Sequence, residues 1–104
     1  MARLLQKNRK PTHPGRILSE HCMKPRGLSV IRLARALGVS RKHVSNIVHE
    51  HVNVTASMAL RLSRVLGTTA QFWMNLQNSL NLFLAERRLN KQLENIRPML
   101  RPSS

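Results

Sequence analysis

The stretch from Val30 to His49 constrains the fold more than any other part of the chain. Leu33 and Leu37 stand four residues apart, Val44 and Ile47 three apart, and Val39 lies in the short link between the two pairs. Placed on two helices, these five side chains converge into one apolar wedge. Ala34 falls where the two helix axes cross closely, Gly38 provides the left-handed residue that ends the first helix, and Ser40 is a good N-cap for the second. A small residue, a glycine four positions later, an apolar residue and a serine cap form the pattern of a DNA-reading helix-turn-helix.

The remaining chain divides at its prolines, glycines and hydroxyl residues, and no segment alternates with period two long enough for a strand. The expectation is an all-α fold. Pro14 opens a first helix that runs to about Met23, turns Ile17, Leu18 and Cys22 inward, and stops at Pro25 and Gly27. Ser29 caps the second, which presents Val30, Leu33, Ala34 and Leu37; the third runs from Ser40 to about His49. Thr55 caps a fourth, with Met58, Ala59, Leu62, Val65 and Leu66 on its inner side and Gly67 at its end. A long fifth helix begins at Thr69 and extends as far as Asn95, before Pro98 forbids continuation. Residues 1–11 read as a basic arm, 12–97 as the helix-turn-helix domain with its fifth helix, and 98–104 as a tail, both ends being prone to fraying.

Charge narrows the function classes. Among 104 residues, 18 Lys+Arg face 4 Asp+Glu, a formal charge of +14, and the acids are all glutamates: Glu20, Glu50, Glu86 and Glu94. Chemistry built on paired carboxylates or an oxygen-ligand cation cage is therefore excluded. Ser19, Glu20 and His21 are adjacent, so they diverge around a helix and make no triad. No enzyme, cofactor or metal is expected, since the five histidines have no acid or cysteine at ligand spacing. Cys22 is the sole cysteine, which suits a reduced, cytoplasmic setting and a small core residue. Residues 65–85 carry no charge, but Gln71, Asn75, Gln77, Asn78 and Asn81 interrupt them too often for a membrane span. With 41% hydrophobic residues the chain has a core, and its natural partner is a polyanion, foremost nucleic acid.

With Val44, Ile47 and Val48 turned inward, helical periodicity leaves Arg41, Lys42, His43, Ser45, Asn46 and His49 outside. Arg41, Lys42, Ser45 and Asn46 sit toward the amino end, the end that enters the major groove, and have the donors and acceptors that base edges require. They are the candidates for base readout. Arg16, Arg32, Arg35, Ser40 and His43 are candidates for contacts to the DNA backbone, which position without specifying.

The sequence resembles the HigA/VapI-type antitoxins, a branch of the Xre-like helix-turn-helix regulators related to phage repressors. The resemblance rests on Thr12-His13-Pro14-Gly15, on Leu33-Ala34-Arg35-Ala36-Leu37-Gly38-Val39-Ser40, on Ala59-Leu60-Arg61-Leu62-Ser63, and above all on Leu66-Gly67-Thr68-Thr69-Ala70-Gln71-Phe72-Trp73-Met74-Asn75-Leu76-Gln77. It covers residues 12 to about 84 and implies a lambda-repressor-like five-helix domain with a long C-terminal helix. It further implies a homodimer that binds a palindromic operator, represses its own operon and neutralises a co-encoded HigB-type toxin. His49-Glu50-His51-Val52-Asn53 stands where the family usually has a turn like Asn-Gly-Lys-Arg.

Two apolar seams follow on the fifth helix. Trp73, Leu76, Leu80 and Phe83 repeat at 3,4,3, with Trp73 and Leu76 reading as ordinary core; Leu89, Leu93, Ile96 and Leu100 repeat at 4,3,4. Phe83, Leu89, Leu93 and Ile96 are the candidates for a dimer or partner contact. Alternatives to the antitoxin are a stand-alone regulator of the same type and, more remotely, a charge-driven RNA- or membrane-surface-binding protein. Phe72, Trp73 and Phe83 are the only aromatics and all lie in the fifth helix, which leaves no stacking platform for single-stranded bases.

Overall fold

The structure, a computed structural model, describes residues 9–100; most of the expected arm, residues 1–8, and most of the tail, 101–104, lie outside them. Its elements in chain order are α1 (Pro14–Ile17), which continues through a π-helical stretch Leu18–Met23 and a 3-10 turn Lys24–Arg26, then α2 (Val30–Leu37), α3 (Arg41–Val48), α4 (Ala56–Leu66), α5 (Ala70–Arg88) and α6 (Asn90–Glu94). No strand occurs among the described residues. The all-α architecture expected from the sequence is present.

Caps fix the helix starts. Ser29, Ser40, Thr55 and Thr69 each accept a hydrogen bond from the N–H three residues on, at 3.0–3.2 Å. His13 caps α1 by accepting from Gly15 N–H through Nδ1 at 2.9 Å, with Pro14 in the first helical position. Gly27, Gly38 and Gly67 close their elements in the left-handed conformation.

The first helix departs from the expected regular α form. An i→i+5 repeat between Leu18 and Met23 brings both Cys22 and Met23 round to the buried side that Leu18 occupies, which an α repeat would not. Burial pushes the Cys22 thiol pKa up, with Arg26 pulling weakly the other way, as suits a core residue. On the exposed side Lys24 donates to Glu20 at 2.6 Å and lowers the pKa of that carboxyl.

Leu33, Val44, Ile47, Ala59, Leu62 and Trp73 form the centre of the core, all at most 1% exposed. Ala34 is buried among them at the α2–α3 crossing, as the pattern required. Trp73 is core, its indole N–H satisfied by Thr68 Oγ1 at 2.6 Å, and Leu76 packs half-buried against the same cluster. Two expectations need correction. Val65 is 37% exposed, because α4 turns only Met58, Ala59 and Leu62 fully inward and Leu66 partly. The fifth helix does not run unbroken to Asn95: Leu89, at φ −99° and ψ 8°, leaves α geometry between α5 and α6. Leu82, Phe83, Leu89 and Leu93, from both sides of that break, line one groove.

Candidate nucleic-acid interface

The expected reading helix, α3, is held from beneath by Val44 and Ile47, both buried. Its start is fixed by Ser40, and its end by a turn in which Glu50 N–H donates to Ile47 O at 3.0 Å and His51 N–H to Asn46 O at 2.8 Å. Glu50 adopts φ 65°, the left-handed position that glycine usually fills in such a C-cap.

The first helix also supports α3. A Cβ on Gly15 would lie 1.8 Å from Ile47 O, so only glycine permits this approach of α1 to the last buried residue of the reading helix. Thr12-His13-Pro14-Gly15 thus acquires a physical meaning: a side-chain cap, a preset first turn and a residue with no side chain at the contact.

The residues expected to contact DNA fall into four groups. On α3, whose Val44 and Ile47 are buried, Arg41 and Lys42 are exposed and Ser45 and Asn46 half-buried. Arg32 and Arg35 are exposed on α2. From Ser29 to Leu66 six Arg/Lys accompany a single acid, Glu50, so this part of the surface is strongly cationic. Arg16 lines a cleft with Lys10, His13 and Glu50.

His43 is half-buried and turns toward a second cleft, shared with Ser40, Thr55, Ser57 and Arg61. Sequence reasoning missed Thr55, Ser57 and Arg61 there. Arg61 donates to Leu37 O at 2.7 Å across the turn, tying α4 to the end of α2. It was visible only as one letter of a family-like run, since an exposed arginine carries no periodic signal.

Gln77 was also missed, although its place four residues after Trp73 and three before Leu80 marks it as core-facing. It is 1% exposed. Its Oε1 accepts from Val54 N–H at 2.7 Å, while Nε2 donates to Asn53 Oδ1 at 3.1 Å and Asn81 Oδ1 at 3.0 Å. The amide's full donor capacity thus ties the loop after α3 to α5.

At the far end, Leu82, Phe83, Leu89 and Leu93 line an apolar groove of about 620 Å3, with Pro11 and Arg9 on its rim. The guanidinium of Arg87 lies 4.7 Å over the Phe83 ring. Ile96, grouped with these residues in the sequence, is 66% exposed and does not line the groove, because α6 ends at Glu94 and the helical repeat that would carry Ile96 to the same side stops there.

A helix-turn-helix family profile matches residues 21–73, a span that holds α2, α3, α4 and the turn between the first two. Antitoxin HigA-1 of Vibrio cholerae is 33% identical over 91 residues, covering 88% of this chain and 86% of its own. The chain belongs to the Xre-like helix-turn-helix family, in the branch that holds the HigA antitoxins. Virulence-associated protein I of Dichelobacter nodosus is 47% identical over 91 residues, with 86% of this chain and 82% of its own covered. Among solved structures, the Pseudomonas aeruginosa antitoxin HigA with the higBA promoter superposes with a TM-score of 0.82 at 45% identity, over 86% of this chain and 99% of that one. In this family the expected non-enzymatic role replaces any catalytic reading.

Proposed function

We propose that the protein is a sequence-specific double-stranded-DNA-binding repressor of the HigA antitoxin type, reading its operator through α3. One observation carries this reading: a capped helix presents Arg41, Lys42, Ser45 and Asn46 outward on a cationic surface with a single acid. Arg and Lys donate to guanine O6 and N7, Asn pairs with adenine, and Ser serves either base. Arg16 on α1, Arg32 and Arg35 on α2, and Ser40 and His43 at the start of α3 hold phosphates around it. A capped helix start favours an anion through its free N–H groups and dipole.

Two copies reading a palindrome place their half-sites one helical turn, roughly 34–36 Å, apart. The groove of Phe83, Leu89 and Leu93 is the surface we assign to that pairing, without Ile96. A cytoplasmic setting follows from the DNA partner. Among the described residues no helix is long and apolar enough to cross a membrane, which leaves a bilayer-spanning role without support.

The test is fluorescence anisotropy with duplex DNA from upstream of the protein's own gene against a scrambled duplex of the same composition. Selective, salt-sensitive binding is expected, and equal affinity for both duplexes would overturn the reading. The toxin-neutralising half of the HigA role is a further part of the proposal. Co-expression with the neighbouring reading frame tests it: co-purification supports an antitoxin. Absence of a complex favours a stand-alone regulator, which the scarcity of acidic residues on this chain already suits if the partner is itself basic.

A further inference from the structure

We infer that His49 is a proton-coupled phosphate contact at the carboxyl end of the reading helix, engaging one DNA phosphate in its imidazolium form. The inference rests on the DNA-reading proposal above. His49 follows Ser45 by four residues and Asn46 by three, so it continues the outward stripe of α3 past the residues assigned to bases. It is exposed, at the end of the helix that lies toward the edge of the groove rather than its floor.

The ring's tautomer is fixed by chemistry. Nδ1 lies 2.8 Å from the Ser45 carbonyl oxygen, with Ser45 Oγ 3.3 Å away as a lesser contact. A carbonyl oxygen only accepts, so Nδ1 carries a proton whether the ring is neutral or charged. Nε2 is then the one ring nitrogen left for DNA. In the neutral ring it holds a lone pair, which a phosphate oxygen repels; in the imidazolium it is an N–H, which donates to that oxygen and brings a full charge. Phosphate binding at this point therefore takes up a proton from solvent onto Nε2.

The surrounding groups are compatible with this role. The His51 ring lies 6.0 Å away, tilted by 31°. Glu50, Lys10, His13 and Arg16 share the cleft on the other side of the turn. Arg41, Lys42 and His43 on α3, Arg32 and Arg35 on the adjoining α2, and Arg61 and Arg64 on α4 are the remaining titratable groups of those elements. Among the described residues, Ser45 is the only hydrogen-bond partner of the His49 ring, and Glu50 forms no ion pair with it.

The test measures operator affinity and its salt dependence for the full chain at pH 6 and pH 8, with His49→Gln and His49→Lys beside it. The native protein should bind more tightly at pH 6 by about tenfold beyond any change seen in His49→Gln, the range in which a histidine changes charge. Its log K against log salt slope should steepen between pH 8 and pH 6 by about 0.9 more than the His49→Gln slope does, one phosphate's worth. His49→Lys should bind at both pH values as the native protein does at pH 6. If His49→Gln keeps the native pH dependence, or if native affinity rises with pH as a neutral Nε2 accepting from a base would require, this inference is overturned while the DNA reading stands. If no variant distinguishes operator from scrambled duplex at either pH, the DNA reading falls and takes this inference with it.

Discussion

Gly15→Ala should damage this protein far more than its chemistry suggests. The added methyl carbon would stand 1.8 Å from Ile47 O, 2.8 Å from Ile47 C and 3.1 Å from His13 Nδ1. To reach even a 3.0 Å separation from that oxygen, α1 and α3 must part by about 1.2 Å, in a region packed at interior density. Neither side yields easily. The carbonyl oxygen already accepts from Glu50 N–H at 3.0 Å and belongs to a residue that is 1% exposed, while the Gly15 amide is held by the His13 cap at 2.9 Å. Overpacking costs about 1–3 kcal/mol, and the rigid backbone on both sides puts this case near the upper end. The gain of about 0.5–1 kcal/mol that alanine normally brings to a helix is too small to offset it. A net loss of about 2 kcal/mol corresponds to a Tm lowered by roughly 8–16 °C for a domain of this size. Gly27→Ala is the control: it has φ +59° but nothing within 4 Å, so backbone strain of about 1 kcal/mol is its whole cost. Thermal and urea denaturation followed by far-UV circular dichroism give both values. A Gly15→Ala protein within about 0.5 kcal/mol of the native one would refute the claimed contact between α1 and the reading helix.

Gln77→Leu keeps the volume of the side chain but strands the buried Val54 N–H, so denaturant titration should show a loss of about 1–3 kcal/mol; no loss would mean the amide clamp is not a stabilising element. Glu50→Gly should stabilise the fold by up to about 1 kcal/mol, since it relieves a side chain at φ 65°, and should also tighten operator binding by removing the one acid near the cationic face. A destabilised Glu50→Gly protein in the same titration would contradict that. Leu93→Glu places a charge in the apolar groove and should convert a dimer to a monomer in sedimentation velocity at micromolar concentration. An unchanged sedimentation coefficient would remove the groove from the dimer assignment.

Much of the fold was legible because its signals are local. Ser29, Ser40, Thr55 and Thr69 cap helices where hydroxyl residues precede apolar periodicity, and the Leu33–Ile47 wedge follows from spacing alone. The π-helical stretch after Ile17 was not legible, because its advantage is the joint burial of Cys22 and Met23, a tertiary matter. The bend at Leu89 has no proline or glycine to announce it. At the candidate site, Asn46 and Arg41 could be proposed from periodicity, whereas Gln77, Arg61 and Gly15 act across 23 or more residues of sequence or through a missing side chain, which no local pattern encodes. Glu50 was legible as a departure from the family's turn, and the left-handed backbone it must adopt became apparent only with the structure.

The central claim is that α3 reads bases while α2 holds the DNA backbone. Its most direct measurement is operator and scrambled-duplex affinity for Asn46→Ala and Arg32→Ala at several salt concentrations. The account predicts that Asn46→Ala loses about 1–3 kcal/mol on the operator alone, whereas Arg32→Ala weakens both duplexes alike and lowers the salt slope by about 1. Undiminished discrimination in Asn46→Ala, with a sequence-dependent loss in Arg32→Ala, would contradict it.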